Sequence, residues 1–90
     1  MEFSNSLPIY EQIAHEIEAR ILKGVWKEGE KIMSMRELSL AFEVNPNTVA
    51  RTLAFLVDKD ILDKKRGTGM YVASGAFASL LQEKQDRSSA

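Results

Sequence analysis

Along the chain, apolar residues recur first at helical spacing and then, after residue 60, at the spacing of strands. Tyr10, Ile13, Ala14, Ile17 and Ile21 follow one another at steps of one, three or four. At about 100° per residue they gather on a narrow arc, with Glu11, His15 and Glu18 well outside it. This predicts an amphipathic helix. Ser6-Leu7-Pro8 reads as its start, because serine can cap and proline is tolerated in the first turn. Gly24 suits its C-terminal end, and Trp26 and Gly29 fall in a short connector. Ser34-Met35-Arg36-Glu37 has the spacing of a capping box. A short second helix should follow, with Leu38, Ala41 and Phe42 on its buried side. It should fail by Val44-Asn45-Pro46, since the residue before proline is pushed away from helical geometry.

A third helix opens at once. Asn45 is a good N-cap and Pro46 a good first residue. Val49, Leu53, Leu56 and Val57 make its apolar face, and Asp58-Lys59-Asp60 ends it. Phe55 is out of phase, on the polar side. Residues 61–65 and 70–73 then read as two short strands around the tight turn Arg66-Gly67-Thr68-Gly69, where either glycine can take a positive φ. Phe77, Leu80 and Leu81 begin a last helix. They suit dimer contacts as well as packing back on the body, and the polar residues from Glu83 to Ala90 should fray. The predicted fold is mainly α with a small β-hairpin: a winged helix-turn-helix over residues 7–73, then a short C-terminal helical segment over 74–90.

Ninety residues suit one compact domain. The absence of cysteine removes disulfides and thiolate metal sites. The N-terminus has no basic start followed by an apolar run, and no apolar stretch nears the roughly 20 residues that span a bilayer. A cytoplasmic protein without membrane contact is expected. An enzyme is not: the one histidine, His15, lies off the apolar arc. Glu16 and Glu18 are two residues apart on a helix and point in different directions. No metal-ligand spacing and no phosphate-binding glycine loop occurs, so no catalytic residue, metal or cofactor is assigned.

The net charge of −1 speaks against nucleic acid, but its distribution does not. Residues 1–30 carry three basic and six acidic side chains, residues 31–72 seven and five, and residues 73–90 two of each. In the basic middle, the turn between Phe42 and Asn47 would push the third helix out from the body, in a shape that fits the major groove. Asn47, Thr48 and Arg51 share one side of that helix, opposite Val49, Leu53 and Leu56, with Asn45 beside them at its start. Arginine can grip a guanine edge with two hydrogen bonds and asparagine an adenine edge. A free helix N-terminus favours phosphate. Lys64, Lys65 and Arg66 lead into the glycines of the hairpin tip, which would lie beside the third helix. The alternative is a winged helix that binds only proteins, since fold does not determine function. It would show exposed apolar groups on the third helix in place of donors.

From Pro8 to about Val72 the chain resembles the N-terminal domain of GntR-family regulators, in particular the short YtrA-like branch. The resemblance lies in Pro8-Ile9-Tyr10-Glu11-Gln12-Ile13, Gly29-Glu30-Lys31-Ile32 and Arg36-Glu37-Leu38. It continues through Val44-Asn45-Pro46-Asn47-Thr48-Val49 with Arg51, and Arg66-Gly67-Thr68-Gly69 with Tyr71-Val72. Met33, Met35 and Ala50 depart from the family's usual residues. The resemblance implies a homodimer that binds a palindromic operator in double-stranded DNA, and repression controlled by a small-molecule effector of unidentified chemistry. The DNA-binding residues expected from pattern and resemblance together are Ser34, Arg36, Asn45, Asn47, Thr48, Arg51, Lys65, Arg66, Gly67, Thr68 and Gly69. The 17 residues after Ala73 would hold one helix but not a large ligand-binding domain.

Overall fold

The computed structural model describes residues 7–88, with side chains through Lys84. Its elements run α1 (Ile9–Leu22), α2 (Met35–Phe42), α3 (Pro46–Asp58), β1 (Leu62–Lys65), β2 (Gly69–Val72) and α4 (Ala76–Ser88). The order is the expected one. Pro8 occupies the N-cap of α1 and makes no side-chain cap bond. The expected cap at Ser6 lies outside the described residues.

Helix α1 lies at the centre and packs most extensively on α3. Ile13, Ala14 and Ile17 are completely buried, as are Leu38 of α2 and Val49 and Leu56 of α3. The expected face of α2 needs one correction: Ala41 is exposed, while Ser39 is buried and donates its hydroxyl hydrogen to the Arg36 carbonyl at 2.8 Å. A helix as short as α2 buries only one narrow stripe, and Leu38 and Phe42, one turn apart, set it.

Glu18 is a second correction. Its phase suggested solvent, yet only 6% of it is exposed. Both α3 and α4 cover α1, so the buried arc is wider than the apolar pattern. The charge is satisfied by Lys59 at the C-cap of α3, whose Nζ lies 2.8 Å from Glu18 Oε2 and 3.3 Å from Glu83 Oε1 of α4. Burial pushes the Lys59 pKa down, but hydrogen bonds and charges from Glu18 and Glu83 outweigh it and hold the pKa above 10.5. Phe55 also finds its place here. Its ring meets Tyr10 of α1 edge to face, with centroids 5.6 Å apart. The out-of-phase aromatic is therefore a contact between α3 and α1.

Both ends of α2 are tied. Ser34 Oγ accepts from Glu37 N–H at 3.1 Å, and Glu37 Oε1 accepts from Ser34 N–H at 3.0 Å, forming the predicted capping box. The two bonds from Ser34, backbone first and side chain second, hold the Glu37 carboxyl below its usual pKa of 4.5. α2 stops at Phe42, where Glu43 takes a left-handed φ of 55° and the Val44 N–H returns to the Ser39 carbonyl. The proline restriction thus acts just after a left-handed cap has already turned the chain.

The hairpin pairs Leu62 with Val72 through Lys65 with Gly69. The connector before α2 adds an edge that the pattern did not predict. Ile32 N–H donates to Met70 O at 3.0 Å and Gly29 N–H to Val72 O at 2.8 Å, so residues 29–32 run along β2. Arg20 lies over Trp26 and Phe42, at 5.6 and 5.1 Å, and joins the connector to α1 and α2. On α4, Leu80 is buried, whereas Phe77 and Leu81 remain exposed.

Two stability predictions follow from these ties. Lys59→Met should destabilise the protein by about 2 kcal/mol in urea unfolding at neutral pH. This is less than the roughly 3–5 kcal/mol of breaking a fully buried pair, because Lys59 is partly exposed. Lys59 gains a raised pKa on folding, so its contribution should be whole at neutral pH and lost only as pH rises above 10.5. Glu37 gives the opposite sign. Its lowered pKa contributes stability above pH 4.5 that is lost as pH falls through its folded value. The difference in melting temperature between the native chain and Glu37→Gln should therefore close on acidification.

Candidate nucleic-acid interface

The front of α3 is built by its cap. Asn45 has extended backbone angles, and its Oδ1 accepts from Asn47 N–H at 2.7 Å. Proline at the next position removes an N–H that would have had no partner. In the rest of the first turn the Asn47 N–H is taken by the cap and those of Thr48 and Val49 by the Asn45 carbonyl; what remains toward an anion is the positive end of the helix dipole, with no acidic residue there. Asn45, Asn47 and Arg51 are exposed. Thr48 is half-buried, and its carbonyl accepts from the Thr52 hydroxyl. The Asn45 oxygen is occupied by the cap, so its side-chain NH₂ remains for another surface. Arg51 carries its guanidinium 4.3 Å above the Tyr10 ring.

The hairpin stands beside the same helix. Between them runs a groove of about 590 Å³, with Ala50, Ala54 and Asp58 on the α3 side and Lys65 and Gly67 to Met70 on the wing side. Ser34 and Met35, at the start of α2, close one end. Arg36 is exposed in the first turn of α2. Neither Glu37 nor Glu43 pairs with it: the ion pairs found among the described residues are those of Lys59 with Glu18 and Glu83.

At the wing tip, Arg66, Gly67, Thr68 and Gly69 are all exposed. Thr68 N–H closes the turn on Lys65 O at 3.0 Å, and Gly67 has φ 78°. Gly69 has φ 124°, a backbone angle that favours glycine, and Lys31 Cε, the far end of a flexible side chain, lies where it would be 2.8 Å from a Cβ there. Lys65 Nζ lies 4.6 Å from the Tyr71 ring centroid.

The structure thus brings Ser34, Lys65 and Gly67 to Gly69 to one groove between α2, α3 and the wing, whereas Arg36, Asn45, Asn47, Thr48, Arg51 and Arg66 lie on the same elements without lining it. The sequence pattern missed Lys31 and Tyr10. Lys31 enters the groove because its segment runs along β2, a pairing no local signal announces. Tyr10 was counted as core, yet it is half-buried and presents its ring face to Arg51. Among the described residues, no group of three or more His, Asp or Glu could hold a metal, and no helix is long and apolar enough to cross a membrane.

Comparison with known proteins gives this geometry a family. Residues 9–72 match the bacterial regulatory proteins of the gntR family. The transcriptional repressor YtrA of Bacillus subtilis is 39% identical over 80 residues, which cover 89% of this chain and 62% of YtrA, so the chain spans less than two thirds of that relative. A GntR-family regulator from Listeria monocytogenes superposes with a TM-score of 0.88 at 36% identity, over 97% of this chain and 78% of that one. BusR of S. agalactiae, solved with its busAB-promotor DNA, superposes with a TM-score of 0.77 at 29% identity, over 93% of this chain and 40% of BusR. The chain belongs to the gntR family of bacterial regulatory proteins, and its four helices and antiparallel hairpin are that family's winged helix-turn-helix, the DNA-binding part of a transcriptional regulator.

Proposed function

We propose that the chain acts as a homodimeric transcriptional repressor that reads a palindromic operator. The observation that carries this reading is the exposed, acid-free front of α3, with Asn45, Asn47 and Arg51, on a helix whose flank from Ala50 onward borders a cationic wing. In the complex, α3 enters the major groove. Arg51 and Asn47 meet base edges, with Thr48 and the Asn45 amide beside them. Ser34, Arg36 and the N-terminus of α3 meet phosphate, while Lys65 and Arg66, with Gly67, Thr68 and Gly69 allowing close approach, meet the adjacent backbone or groove.

Residues 7–73 form the reading head and residues 74–90 the pairing segment. The exposed Phe77 and Leu81 of α4 support that division, since burial between two copies removes them from water. Two heads would occupy half-sites about one helical turn apart. A small-molecule effector that changes the spacing of the heads would release DNA. The chain has no assigned catalytic step and works in the cytoplasm.

Selection of bound duplexes from a random pool by the purified chain tests the reading. A palindromic consensus is expected; failure to enrich any sequence would favour a protein-binding winged helix. On the selected duplex, Arg51→Ala should cost about 1–3 kcal/mol, concentrated at one base pair. Lys65→Ala should weaken binding evenly across sequences and lower the slope of log affinity against log salt by about one. Competition titrations at several salt concentrations measure both.

A further inference from the structure

Three residues of α3 grip Tyr10. Thr52 is completely buried, and its hydroxyl lies 2.9 Å from the Tyr10 carbonyl. Phe55 meets the Tyr10 ring edge to face at an interplanar angle of 80°. Arg51 lays its guanidinium over the face of that ring, 4.3 Å from the centroid. The backbone and the ring of Tyr10 are thus both held by α3, the ring by Arg51 and Phe55, which are one helical turn apart. The ring has little freedom left, and the cation rests on it.

From this we propose that Tyr10, on α1, is the positioning residue for Arg51 and thereby sets how sharply the helix discriminates bases. The inference rests on the reading of Arg51 as a base contact. An arginine side chain is long and loses much rotamer freedom when it binds. Stacking on an aromatic face removes part of that freedom in advance. It engages the plane of the guanidinium and leaves the N–H groups on its edge, which are the groups that bind guanine O6 and N7. Arg51 is exposed and joins neither ion pair, so among the described residues those donors are not spent on an acid. The neighbouring acid Glu11 is turned to the Tyr10 hydroxyl, 3.4 Å away. The tyrosine is needed for its ring and not for its hydroxyl.

The test compares affinity for the selected duplex with affinity for one altered at the base pair Arg51 reads. Tyr10→Leu should lower that ratio about two- to fivefold, the range expected of an exposed cation–π contact. Tyr10→Phe should keep it. In an Arg51→Ala background, Tyr10→Leu should lower it no further, and its salt slope should match that of the native chain. A loss equal in both backgrounds, or an unchanged ratio in Tyr10→Leu, overturns the proposal.

A readout without DNA guards against a variant that folds poorly. The side-chain methylene resonances of Arg51 should be shifted upfield by the ring in the native chain and in Tyr10→Phe, and the shift should vanish in Tyr10→Leu. Its absence from the native chain also overturns the proposal. Failure of the DNA reading would look different: Arg51→Ala would itself leave the ratio unchanged. Failure of the positioning alone would show as a reduced ratio in Arg51→Ala beside a full ratio in Tyr10→Leu.

Discussion

The packing of α1 along the back of α3 is the contact on which the rest of the structure depends. One side of α3 is closed by Val49 and Leu56, both completely buried, and by the Thr52 hydroxyl bonded across to α1. With that side filled, the opposite side of a helix of this length has nowhere to go but outward. The charged tie at the far end, Lys59 between Glu18 and Glu83, holds the C-terminus of α3 to both α1 and α4. A projecting helix needs such anchoring because the face that would meet a ligand gives it no support of its own in the free protein.

The wing depends on the same arrangement at one remove. Ile61 and Leu62, at the start of the hairpin, are buried against the body, whereas the tip from Asp63 to Gly69 is exposed. Residues 29–32 run along β2, so the hairpin does not stand as an isolated pair of short strands, which would be marginal in water. Gly69 lets the Lys31 side chain lie close against the strand. The wing and the flank of α3 from Ala50 to Asp58 are therefore two borders of one groove, and the positive charge on its lining, Lys31, Lys64 and Lys65, comes from segments far apart in the chain. This explains how a chain of net charge −1 presents a cationic edge: its N-terminal third is net acidic, six acidic residues to three basic, and its middle net basic, seven to five.

Much of this was legible in local pattern because it is locally caused. Ser34 with Glu37, and Asn45 followed by Pro46, specify helix starts by hydrogen bonds spanning two or three residues, and both caps form as written. The Gly67 turn follows from a backbone conformation that glycine adopts without penalty. The apolar phase of α3 located its exposed side, and with it Asn47 and Arg51. Other assignments failed where burial depends on a neighbour. Glu18 reads as solvated until α3 brings Lys59 to it, and Ala41 reads as core until α2 is seen to bury only one stripe.

By itself, then, the sequence determined the order and type of the elements, the caps, the hairpin and the family, because each rests on short-range periodicity or on residues in a recognisable string. Only the tertiary structure decided which surfaces adjoin. It placed Phe55 against Tyr10, Tyr10 beneath Arg51, and Lys31 beside the wing. Those contacts join residues from different elements, and their distances depend on how whole helices pack, a property that no local spacing encodes.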